Sequence, residues 1–220
     1  MKTTNALRIL SILKKQYPQA HIALRYTNNW ELLVAVILSA QCTDVMVNKV
    51  TEKLFKKYKS IADYAHADIK ELEQDIKSTG FYRNKAKNVK AAAQLLFEKF
   101  NREVPKTMEE MLEIPGVARK TANVVLGNAY GIVAGIAVDT HVRRLSQRLG
   151  FTTYDDPEKI ELDLMHLFDK KEWFGLTYKL IDHGRAICQA KDPRCDLCFL
   201  NKICPSSFQF PRFQKKKEYA

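Results

Sequence analysis

Four of the chain's five cysteines fall within one short segment, Cys188, Cys195, Cys198 and Cys204, in the spacing C-x6-C-x2-C-x5-C, while Cys42 stands alone. A secreted domain stapled by disulfides would spread its cysteines more widely and would rarely be this large. Four thiolates so close together, on loops that include Pro193 and Pro205, can wrap either a tetrahedral metal site or a cubane cluster. Structural zinc is the main competitor, although no histidine completes a ligand pair and the gaps are not those of a zinc ribbon. Lys191 and Arg194 lie between the first two cysteines. A metal-pinned loop would present them to a phosphate; the plainer reading is a solvated basic loop.

Upstream of that segment the apolar residues recur at helical spacing. Leu7, Ile9, Leu10 and Leu13 predict a helix over 5–17 that stops at Pro18, and 30–38 is a dense apolar helix. A polar turn over 39–44 leads into a helix running to about residue 58. Ser60 and Asp68 read as N-caps of two short helices, the second ending near Ser78. An amphipathic helix over 85–100 has an apolar face of Val89, Ala92, Leu96 and Phe100 and a basic face of Lys85, Lys87 and Lys90. Thr107 caps a further short helix, Asp156-Pro157 opens another, and 173–187 leads to the cysteines. No alternation is long enough to form a sheet, so the fold class is all-α. The tail carrying Lys215, Lys216 and Lys217 is expected to be disordered.

Lysine and arginine outnumber aspartate and glutamate by 36 to 25, a net charge of +11. That excess favours a polyanionic partner, nucleic acid ahead of an anionic membrane surface. No apolar run approaches a membrane span, and the N-terminus reads as a helix of the mature protein. No membrane association is expected, and cytoplasm is the default location, with nucleoid association if the source is bacterial.

The stretch LEIPGVARKTANVVL, residues 112–126, reads as a helix end, a tight turn at Pro115-Gly116-Val117-Ala118, and a new helix with Arg119 and Lys120 in its first turn. Helix N-termini expose unpaired N–H groups and partial positive charge, which suits a phosphate. A lysine there is unusual, because the dipole favours anions; the same field favours its neutral, nucleophilic form. An ordinary helical corner with a solvated lysine is the alternative. Asp139 also begins a helix, after the small apolar run Gly135-Ile136-Ala137-Val138. It can be simply an N-cap, or a carboxylate held at a pocket floor to stabilise an oxocarbenium ion. His141 can hydrogen-bond a phosphate or sit on the helix surface; His183 is ambiguous. Gln41 and Phe81 each occupy a turn between helices. A base taken out of a duplex leaves a hole that apolar or amide side chains fill; for Phe81 the competing reading is a core aromatic beside Tyr82.

Together these pieces resemble the endonuclease III family of helix–hairpin–helix DNA glycosylases. The likeness covers most of the chain: LSAQCTD at 38–44, STGFYRNKAKN at 78–88, IPGVARKTANVVL, VDTHVRRLSQRLG, HGRAIC and the four-cysteine spacing. It implies two helical lobes with a DNA-binding cleft between them. One is a six-helix lobe over 22–133; the other joins 1–21 to 134–211, leaving 212–220 as a basic tail. It further implies a 4Fe–4S cluster on Cys188, Cys195, Cys198 and Cys204, Lys120 as Schiff-base lysine, Asp139 as catalytic aspartate, and Gln41 and Phe81 as residues inserted into DNA. Gly116, Val117, Ala118, Arg119, His141, Lys191 and Arg194 are then expected to contact DNA. Glycine is frequent in the family where this chain has Ala118, so a slightly altered hairpin is expected if the turn needs positive φ there.

The implied activity is base excision repair, removing oxidised pyrimidines and cleaving the strand by β-elimination, on double-stranded DNA with damaged bases or abasic sites. A monomer is expected. An adenine-mismatch glycosylase is the nearest rival, but that branch usually lacks the lysine and carries an extra C-terminal domain. A non-catalytic, metal-stapled DNA-binding protein and a zinc-binding interaction module are rivals from other classes.

Overall fold

The computed structural model describes residues 3–214; every regular element among them is helical. Lys215, Lys216 and Lys217 lie outside the described residues. Among the described residues no helix is long and apolar enough to cross a membrane. The chain divides into two compact units, one being Ile22–Ala134 and the other joining the stretch up to His21 with the stretch from Gly135 onward.

The chain opens with α1 (Thr3–Gln16), which packs in the second unit. The Ile22–Ala134 unit holds α2 (Asn29–Leu38), α3 (Asp44–Lys57), α4 (Ile61–His66), α5 (Ile69–Asp75), a 3-10 turn (Lys77–Thr79), α6 (Tyr82–Glu98), α7 (Met108–Glu113) and α8 (Arg119–Tyr130). Its centre is α2, where Leu32, Leu33, Val34, Ala35 and Leu38 are completely buried. A helix that is apolar all round must be covered on every side, here by α3, α6 and α8. Truncating one of its leucines to alanine should cost about 2–5 kcal/mol.

The helix starts follow the caps legible in the sequence. Asn28 accepts from the amide of Glu31 at 2.9 Å, and Asp68 accepts from the amides of Lys70 and Glu71, each at 2.9 Å. Ser60 and Asp63 close a reciprocal capping box on α4. The predicted basic face of α6 requires a correction. Lys85 is not solvated but 5% exposed, because its position on the helix turns it inward with Ala86 and Val89. Its Nζ donates to the carbonyls of Leu38 at 2.8 Å and Thr79 at 2.7 Å.

The second unit packs α1 with α9 (Thr140–Arg148), α10 (Pro157–Leu167) and α11 (Lys170–Ala186). A 3-10 turn (Cys195–Leu197) and a short α12 (Pro211–Gln214) follow. Ala6, Ile9 and Leu13 of α1 share a core with Val142, Leu145, Leu164, Leu176 and Leu180. Gly184 lets α11 approach α9 closely: a Cβ there would come within 2.8 Å of His141 Nδ1 and 2.9 Å of an Arg144 nitrogen. Asp156 caps α10, with Pro157 at its first position.

Candidate functional site

The hairpin connects α7 to α8. Gly116 has φ +81°, the left-handed region, and a Cβ on it would meet Asn88 at 2.8 Å. Val117 folds back, its amide donating to Ile114 at 3.0 Å, and its side chain is buried. Ala118 is the N-cap of α8 with φ −97° and ψ 171°, an extended conformation open to any residue. The expected alteration of the hairpin at Ala118 therefore does not occur; the positive φ falls two residues earlier, where glycine is present. Ala118 offers no side-chain cap to the start of α8. Lys120, second residue of α8, is exposed, and Arg119 is half-buried.

In the second unit the run Gly135–Val138 is buried and pinned from two sides. The amide of Ile136 donates to the buried Glu161 carboxylate at 3.2 Å, and the Thr177 hydroxyl donates to the Ala137 carbonyl at 3.3 Å. That anchored approach delivers Asp139 to the start of α9, where its Oδ1 accepts from the amide of Val142 at 2.7 Å. The side chain is half-buried, and the cap occupies Oδ1 only. His141, also half-buried, has Nδ1 3.2 Å from a guanidinium nitrogen of Arg144. Arginine can only donate, so Nδ1 accepts and the ring proton resides on Nε2.

The four clustered thiols line one cavity, together with Arg148, His183 and Leu200. Burial and the neighbouring sulfurs push the Cys198 thiol up to about 11, and burial raises Cys204 as well. Thiols gathered out of water in this way ionise readily only around a cation. Donors already face them: the Leu200 amide at 3.4 Å from Cys198 Sγ, and Arg148 at 3.3 Å from Cys188 Sγ. Arg148 also donates to the carbonyls of Gln189 and Ala190, each at 2.8 Å. Among the described residues, no three His, Cys, Asp or Glu side chains are gathered as they would be around a single ion. Lys191 and Arg194 are exposed on the loop between Cys188 and Cys195, with Arg194 donating back to the Ala186 carbonyl at 2.9 Å.

Gln41 and Phe81 both adopt left-handed backbone conformations, φ 52° and 47°. Phe81 is 67% exposed, which rules out the core-aromatic reading. Sequence reasoning missed Arg144, Arg148, Glu161 and Thr177. The signal for the two arginines was present: with His141 they are spaced i, i+3, i+7, one face of α9. No comparable signal marks Glu161 or Thr177, whose partners are main-chain groups far along the chain.

Comparison with known proteins places this geometry. Residues 34–170 match the family of HhH-GPD superfamily base excision DNA repair proteins. An endonuclease III of Synechocystis sp. is 54% identical over 206 residues, covering 94% of either chain. One of Bacillus subtilis is 48% identical over 189 residues, covering 86% of either chain. The chain belongs to the endonuclease III family. Members of that family are base-excision-repair DNA glycosylases with characteristic abasic-site lyase activity, and this chain is such an enzyme. A solved endonuclease III in a non-covalent complex with DNA superposes with a TM-score of 0.91 at 44% identity, covering 100% of both chains. A thermostable thymine-DNA glycosylase, 21% identical with a TM-score of 0.82 over 96% of this chain and 98% of that one, shares the fold. The non-catalytic rivals fall away with that membership.

Proposed function

We propose that this endonuclease III homologue removes oxidised pyrimidines from double-stranded DNA, with Lys120 as nucleophile and Asp139 as its partner carboxylate. The observation that carries the reading is Lys120 itself, exposed in the first turn of α8 directly behind a hairpin whose N-cap residue, Ala118, supplies no side-chain cap. The start of α8 and Gly116 to Arg119 grip phosphate. His141 Nε2–H, Lys191 and Arg194 add further backbone contacts, and Gln41 and Phe81 fill the space left by the extruded nucleotide.

Neutral Lys120 attacks C1′ while the bond from C1′ to the base breaks and the base leaves with the electron pair. Asp139 stabilises the positive charge that grows on the sugar, and the attacking nitrogen gives up its proton to solvent. Opening of the C1′–O4′ bond gives a protonated Schiff base, which acidifies the 2′ hydrogen. Removal of that proton expels the 3′ phosphate, so the strand is cut 3′ to the lesion. Borohydride added during turnover should trap a covalent protein–DNA adduct, and Lys120→Gln should abolish it. An undiminished adduct in that variant would remove Lys120 from the mechanism.

The cavity lined by Cys188, Cys195, Cys198 and Cys204 offers four thiols, a donor set that suits a 4Fe–4S cluster or one zinc ion, and membership of the endonuclease III family favours the cluster. Bound there, the cluster supplies cross-linking of the C-terminal loops; no electron is transferred in the glycosylase reaction. Absorption at about 400 nm from iron–thiolate charge transfer distinguishes it from zinc. The enzyme acts as a monomer in the cytoplasm, at the nucleoid in a bacterial cell.

A further inference from the structure

Lys85 is the buried cation that the reaction above does not use. Its acceptors are two main-chain carbonyls, each at the end of a helical element: Leu38 closes α2, and Thr79 closes the 3-10 turn. Cations are stabilised at such C-terminal ends, where carbonyls lack intrahelical partners. The two elements lie far apart in sequence, and the chain leaves each in a comparable way. Three residues beyond Leu38 stands Gln41 at φ 52°, and two beyond Thr79 stands Phe81 at φ 47°. Non-glycine residues hold left-handed conformations only where the surroundings fix them. Each turn has local supports: Ser39 accepts from the amide of Cys42 at 3.1 Å, and the buried Thr79 hydroxyl donates to Ile76 at 2.8 Å. Lys85 is the side chain bonded to both segments.

We propose that Lys85 is a positioning residue for nucleotide extrusion, fixing the Gln41 and Phe81 turns at one separation so that both side chains enter the duplex as a single tool. The proposal rests on the reading of Gln41 and Phe81 as residues inserted into DNA. Without the ammonium, α2 and the 3-10 turn are still packed by their apolar neighbours, but the spacing of the two exposed side chains is no longer set by a shared hydrogen-bond donor. Methionine at position 85 retains much of the lysine's length and apolar stem while removing every donor.

The test compares single-turnover excision of one oxidised pyrimidine from two duplexes, the lesion facing a normal base or facing an abasic spacer. The second duplex has no pair to open and no orphaned base to hold. Lys85→Met should slow excision from the paired duplex about tenfold and from the spacer duplex less than about threefold, with Lys85→Gln intermediate. The ratio of the two rates is read on the borohydride-trappable fraction of each preparation, so partial unfolding cannot produce it. An unchanged ratio in Lys85→Met overturns the proposal. Gln41→Ala and Phe81→Ala serve as controls. If they lower the ratio and Lys85→Met does not, the positioning role alone fails; if neither control lowers it, the insertion reading fails and the proposal with it.

Discussion

Nε2 of His183 stands 3.7 Å from the sulfur of Cys198, on a ring whose other nitrogen meets the Tyr17 hydroxyl at 3.1 Å. Burial pulls the imidazole down to about 4 and pushes the Tyr17 phenol up to about 12, so both groups are neutral. If the phenol donates to Nδ1, the ring proton sits on Nε2 and points at sulfur. Hydrogen bonds to cluster sulfurs raise reduction potential by stabilising the more negative state. Tyr17→Phe removes the group that fixes the tautomer. In the cluster-loaded protein its midpoint potential should fall by on the order of tens of millivolts, as read by voltammetry. An unchanged midpoint would show that Tyr17 does not control the proton.

The parts that sequence made legible are those set by near neighbours. Helix caps such as Ser60, Asp68 and Asp156 act on amides two or three residues away, so local pattern suffices. The hairpin was legible for the same reason, although its left-handed residue is Gly116 and not residue 118. Lys85 was misassigned because a charged residue on an amphipathic helix ordinarily faces water, and its carbonyl partner Leu38 lies 47 residues away. Phe81 resisted assignment because an aromatic is usually core; only its φ of 47° and exposure decide otherwise.

Gly116 offers a test of the phosphate grip. Alanine there must adopt φ near +81° and bring its Cβ to 2.8 Å from both Cβ and Nδ2 of Asn88. Gly116→Ala should destabilise the protein by about 1–3 kcal/mol and weaken binding to undamaged duplex DNA in a salt titration. Adding Asn88→Ala removes Nδ2 but keeps the Cβ, so only part of the loss should return. Full recovery in the double variant would place the whole strain in the amide, not in the backbone.

Arg148 ties the far end of α9 to the cysteine loop through Gln189, Ala190 and Cys188. Its guanidinium also lies 4.5 Å from the ring centroid of Phe210. Arg148→Met should cost about 1–3 kcal/mol and hasten bleaching of the visible band under oxidation or chelation. Lyase activity on a pre-formed abasic site should persist until that bleaching, then decline with it. Decline well before bleaching would mean that Arg148 acts on the reaction independently of the cysteine loop.

Asp139 separates a cap from a catalyst. Its Oδ1 accepts from the Val142 amide at 2.7 Å, a bond that asparagine's carbonyl can also accept, and asparagine ranks with aspartate as an N-cap. Asp139→Asn should therefore leave thermal stability within about 0.5 kcal/mol of the parent. Asp139→Ala, which loses the cap, should cost about 0.5–2 kcal/mol. If the charge stabilises the developing oxocarbenium ion, single-turnover base excision should fall on the order of 100-fold or more in both variants. Cleavage at a pre-formed abasic site should fall far less, because no base remains to be expelled. A variant Asp139→Asn that excises bases at the parental rate would reduce the residue to its cap. A loss that tracked stability, large in Asp139→Ala and small in Asp139→Asn, would lead to the same conclusion.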